Sequence, residues 1–115
     1  MFFMILLLYK EEFYEDVLNS LVESGINDSF VIEGQTINQA VNINVPIFSG
    51  LKYKLNDESK YSKIILSTVD SKEQVEHLIE ILKDLKIDPE REDILRIYIM
   101  KIDSVYGKSE DFKIE

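Results

Sequence analysis

Along this chain the spacing of apolar residues changes several times, and each change marks a new element. Residues 2 to 9, FFMILLLY, are apolar without interruption, as expected of a central strand covered on both faces. In EEFYEDVLNSLVESG (11 to 25), Phe13, Val17, Leu18, Leu21 and Val22 recur at helical spacing. Acids fill the first turn of that helix, and Gly25 stands where a helix is commonly closed. SFVIEG (29 to 34) is a short second strand, YSKIILSTV (61 to 69) a third and ILRIYIMKI (94 to 102) a fourth. Between the last two, Val75, Leu78, Ile79, Leu82 and Leu85 mark a second helix. Asp70 or Ser71 opens it, with Glu73 placed to reach back to Asp70 in a capping box. KIDPERED (86 to 93) is a polar connection broken by Pro89.

One stretch is left over. In VNINVPIFSGLKYKL (41 to 55), Val41, Ile43, Val45 and Ile47 alternate with polar residues or proline before Ser49-Gly50, and Leu51, Tyr53 and Leu55 alternate with lysines after it. Alternation on both sides of a glycine-containing turn predicts a β-hairpin arm, or two ordinary strands that extend the sheet. The remaining elements read as βαβ followed by βαβ. Two such units side by side predict an α+β, ferredoxin-like βαββαβ (split βαβ) fold: an antiparallel sheet with two helices on one face and a long arm between its second and third strands. A single domain over 1–107 is expected, with the arm at 34–60 and a charged tail at 108–115.

Composition narrows the chemistry. The chain is 45% hydrophobic and 30% charged, ordinary for a soluble globular protein. It has no cysteine, which excludes disulfides, zinc–thiolate sites and thiol nucleophiles, and it has a single histidine, His77. A net charge of −9 argues against binding nucleic acid or anionic lipid. The apolar start lacks a basic flank and a small-residue cleavage site and is too short to span a bilayer, so a cytoplasmic protein without membrane insertion is expected. His77, between Glu76 and Glu80, reads as a surface residue rather than a metal ligand. No nucleophile–base arrangement or catalytic carboxylate pair stands out, so no enzyme is expected.

In its element order and at its arm the chain resembles the P-II signal-transduction superfamily. EGQ (33 to 35) and FSGLKYKL (48 to 55) are similar to the two ends of the family's protruding T-loop, and STVDSKEQVEHLIEIL is similar to its third strand running into its second helix. The resemblance implies a homotrimer that binds a small ligand, such as an adenine nucleotide, in clefts between subunits. It also implies an arm that signals to a protein partner, an enzyme or a transporter. Gln35 lines up with a ligand-contacting glutamine of the family, with Gly34 beside it; Lys10 and Lys101, at strand ends, are placed to meet an anionic ligand in such a cleft. Val45, Ile47, Phe48, Gly50 and Tyr53 are the expected partner-binding residues. One departure is plain. The family cradles phosphate in a glycine-rich connection before its last strand, whereas KIDPEREDI here has no glycine and four acids, Asp88, Glu90, Glu92 and Asp93. Two other readings share the element order: an assembly module that binds no ligand, and a trimeric divalent-cation-tolerance-like protein.

Overall fold

The computed structural model describes residues 1–44 (42–44 in backbone only), 61–91 and 93–110. Its elements follow the order β1 (Phe2–Leu8), a 3-10 turn (Glu11–Phe13), α1 (Tyr14–Glu23), β2 (Ser29–Gly34), α2 (Ile37–Asn44), β3 (Ser62–Val69), α3 (Lys72–Asp84) and β4 (Leu95–Lys101). The strands form one four-stranded sheet in the order β2-β3-β1-β4, with every neighbouring pair antiparallel. The fold is therefore α+β, and β1 is central as expected.

Two expectations are corrected. The expected hairpin does not begin at Val41: residues 41–44 belong to α2, an additional helix between β2 and β3. Helix wins there because Thr36 and Gln39 form a reciprocal capping box. Gln39 N–H donates to Thr36 Oγ1 (3.1 Å) and Thr36 N–H donates to Gln39 Oε1 (2.8 Å). The rest of the hairpin, with Val45, Ile47, Phe48, Gly50 and Tyr53, lies outside the described residues.

The second correction concerns β1: among the described residues only one of its faces is wholly buried. Met4, Leu6 and Leu8 are wholly buried, together with Ile65 and Val69 of β3 and Leu95 at the start of β4. Against them pack Val17 and Leu21 from α1 and Val75, Leu78 and Leu82 from α3, in one continuous core. Phe3, Ile5 and Leu7 alternate with these and point to the opposite face, where they are half-buried. At the periphery, Val22 and Leu85, members of the two helical apolar stripes, are exposed.

Both covering helices close in the same way. After α1, Ile26 N–H donates to the Leu21 carbonyl (2.8 Å) and Gly25 N–H to that of Val22 (3.0 Å); after α3, Ile87 donates to Leu82 (2.8 Å) and Lys86 to Lys83 (2.9 Å). These are paired Schellman motifs, each finishing on a buried isoleucine that packs back into the core. The motif needs a left-handed residue: Gly25 supplies it with φ 81°, but in the second helix Lys86 takes it with φ 64°.

Of the two caps expected for α3, Ser71 is the one used, accepting from Gln74 N–H (3.3 Å). The reaching-back partner differs from expectation: it is Gln74 rather than Glu73, its Oε1 accepting from Asp70 N–H (2.9 Å). The same amide donates through Nε2 to the Ser24 carbonyl (3.2 Å), tying the start of α3 to the end of α1.

The strain at Lys86 leads to a stability prediction. Replacing Lys86 by glycine removes a left-handed penalty of about 1–2 kcal/mol and gives back part of it as unfolded-chain entropy, for a net gain of about 0.5–1 kcal/mol. The melting temperature should rise by a few degrees in calorimetry. Gly25→Ala should lower it, because the new Cβ enters a left-handed position 3.3 Å from Gln74 Nε2.

Candidate functional site at the root of the arm

β2 and β3 are paired to their ends, with Gly34 opposite Ser62. The chain leaves the sheet at Gly34 and returns at Ser62, so the whole 35–61 connection is rooted at one point of one strand pair. Ser62 and its neighbour Lys63 point to opposite faces there, as consecutive strand residues must. Each is held by a different set of partners.

On the open side, Ser62 is buried and donates from Oγ to Gln39 Oε1 (2.9 Å). That oxygen also accepts from Thr36 N–H, so one buried amide caps α2 and fastens it to the sheet. Gly34 makes room beside it: a Cβ there would lie 3.0 Å from Ile64 Cδ1. On the helix-covered side, Lys63 donates from Nζ to Glu33 (2.9 Å) on the adjacent strand and lies 3.3 Å from Glu11 in the turn after β1. Its ammonium stands 5.2 Å from the centre of the Tyr14 ring, within cation–π range. The hydrogen bond to Glu33 is the main cause that raises the Lys63 pKa above its ordinary value; burial opposes the shift and Glu11 reinforces it. Two clasps on opposite faces of β3 therefore fix the arm's root, one neutral and one ionic.

The expected ligand residues distribute unevenly about this root. Gly34 and Gln35 are part of it, Gly34 half-buried and Gln35 exposed. Lys10 lies at the same end of the sheet, just beyond β1. Lys101 pairs with Phe2 at the opposite end of β1, so the two lysines are roughly 20 Å or more apart within one chain at about 3.3 Å per strand residue. The acid-bearing connection before β4 returns to the root end, where Tyr9 N–H donates to the Ile94 carbonyl (2.8 Å). His77 is exposed on α3. Among the described residues no three acidic or imidazole side chains gather as a metal site, and no helix is long and apolar enough to cross a membrane.

Gln39, Ser62 and Lys63 were not among the residues expected from sequence. Thr36-x-x-Gln39 is a legible capping signature, but the alternation from Val41 to Ile47 competes with it. For Lys63 there was no local signal, since both carboxylate partners are distant in sequence.

No protein-family model matches the chain, and no curated protein sequence matches it.

Two substitutions separate the clasps. Gln39→Ala leaves the buried Ser62 hydroxyl and the Thr36 N–H without their acceptor and should cost about 1–2 kcal/mol. Amide exchange at Thr36, Gln39 and Ala40 should accelerate while that of β1 does not. For Lys63 the folded pKa lies above the unfolded one, so its contribution is complete below pH 10.5 and is lost as pH climbs through the folded pKa. Alkaline denaturation curves of the wild type and Lys63→Met should thus converge at high pH; a constant gap across the range would exclude the ionic clasp.

Proposed function

We propose that this chain is a P-II-like regulatory protein. On this reading it is built on a ferredoxin-like βαββαβ scaffold to which α2 is an addition. It assembles as a homotrimer, binds a small anionic ligand at clefts between subunits and signals to a protein partner through the 34–60 arm. The observation that carries the reading is the connection from 35 to 61. Two strands paired to their ends need a turn of only a few residues, whereas this connection carries α2 and a further stretch beyond it. It is rooted by Gln39 and Lys63 on either side of β3. A ligand that contacts Gly34 and Gln35 acts next to both clasps. Different affinities for two arm arrangements then shift their populations, and the partner reads the result. Lys10 of one copy and Lys101 of another, apart within one chain, are the cations available to a cleft between copies. The carboxylates Asp88, Glu90 and Asp93 oppose a polyphosphate there and favour a ligand of lower charge.

A ligand-free assembly module is the second reading, supported by the separation of Lys10 from Lys101 within the chain. A thermal-shift panel with ATP, ADP, AMP and 2-oxoglutarate discriminates the two. A bound ligand at a hundred times its dissociation constant should stabilise the fold by about 2.7 kcal/mol, a shift of several degrees, and Gln35→Ala should lose most of that shift. No shift with any of the four excludes the ligand-binding reading and leaves the assembly module.

A further inference from the structure

β2 and β4 are the outer strands of the sheet, and among the described residues no strand pairs with the outer side of either. They differ in what they leave uncovered. In β2, Phe30 (76% exposed) and Ile32 stand in water on the open face and Val31 on the helix side. The helix-side residues of β4, Leu95, Ile97 and Ile99, are buried or half-buried instead. The backbone of β2 is open as well. Thr68 N–H donates to the Asp28 carbonyl (3.0 Å), which makes Asp28 and Thr68 a hydrogen-bonded pair. Such pairs recur at every second residue of an antiparallel ladder. The backbone groups of Phe30 and Ile32 therefore face β3, and those of Ser29, Val31 and Glu33 face outward, where the ladder gives them no partner.

We propose that this edge takes an extended peptide of an unlike protein as an additional strand, one with apolar side chains on both faces and basic residues at its ends. The backbone dictates the extended form, because a strand is what meets donors and acceptors repeated at every second residue. Phe30 and Ile32 on one face and Val31 on the other call for apolar neighbours on both. Charge selects the basic ends. Asp28 is exposed on the Phe30 face, Glu33 on the Val31 face shares Lys63 with Glu11, and Ser29–Gly34 holds no lysine or arginine. A second copy would bring a charge of −9 to this acidic edge, whereas a partner of opposite charge is drawn to it. Outer strands are commonly guarded by lysine, proline or a bulge. SFVIEG has neither residue, and its register with β3 runs one to one from Ser29 to Gly34. The edge precedes the 35–61 arm, and the inference requires neither the ligand nor the trimer of the proposed function.

Amide hydrogen exchange read residue by residue on the full chain tests it, with the blocked peptide Lys-Val-Tyr-Val-Thr-Lys as the probe and the same core between glutamates as the control. In the chain alone, the amides of Phe30 and Ile32 should exchange slowly and those of Ser29, Val31 and Glu33 fast. The lysine peptide should slow the latter three by an order of magnitude or more, and the control should not. Val31→Pro removes an N–H that serves no bond to β3, so the variant should keep its circular dichroism spectrum and lose the peptide effect. Should it fail to fold, Asp28→Asn decides, with a several-fold weaker response to the lysine peptide expected. No slowing at millimolar peptide, equal slowing by the control, or an unchanged response in Asp28→Asn overturns the proposal. So does slow exchange of the three amides in the chain alone: an edge that opens on dilution is filled by a second copy, and one that stays closed is filled by the chain itself. None of these results bears on the nucleotide and 2-oxoglutarate panel, so the two readings fail separately.

Discussion

A β-sheet has two faces, and among the described residues this chain lays α1 and α3 across one and fastens only α2 at an end of the other. Burial of the even-numbered side chains of β1 against α1 and α3 is the interaction on which the rest depends. It positions the helices, and the helices in turn close on Ile26 and Ile87, which complete the same core. The polar devices serve this arrangement. Gln74 joins the end of one helix to the start of the other, and Lys63 joins the covered face to the turn that leads into α1. Among the described residues the sheet is packed against helices along the whole of one face, whereas on the other the alternate residues of the same strands, as apolar as those in the core, are only partly covered.

The arm's root lies where those two sides meet. Ser62 faces the open side and Lys63 the covered side, so whatever displaces residues 35–61 acts on the edge of the core and on the edge of the bare face together. A neutral clasp through a buried amide and an ionic clasp through a lysine respond to different perturbations, the first to loss of hydrogen-bond geometry and the second to loss of charge. For the arm of the proposed function, that arrangement is the physical basis: its state can be coupled to the packing of the sheet without a contact between distant parts of the chain.

Much of the fold was legible in the sequence because period and length agree in most elements. The 29–34 and 62–69 strands and the 72–84 helix each show one dominant spacing, and Gly25 marks a helix end that the structure confirms. Failures arose where two local rules compete. From Val41 onward, strand-like alternation overlaps the helix that Thr36 and Gln39 open, and the capping box wins over 37–44. At 70–74 two overlapping boxes are possible, and the amide of Gln74 prevails over the carboxylate of Glu73 because it can donate to Ser24 as well as accept from Asp70. FFMILLL reads as a strand buried on both faces, yet a single chain buries only alternate residues of it. Of the site, Gly34 and Gln35 were visible at the root, whereas Lys63 became visible only once Glu11 and Glu33 were brought to it by the fold.

The central claim, that two independent clasps on opposite faces of β3 hold the root of the 35–61 connection, is tested most directly by a double-mutant cycle of Gln39→Ala and Lys63→Met read by denaturant unfolding. The account predicts that the two costs add to within about 0.5 kcal/mol, because the neutral and the ionic clasp share no partner. A coupling energy well above that would contradict it.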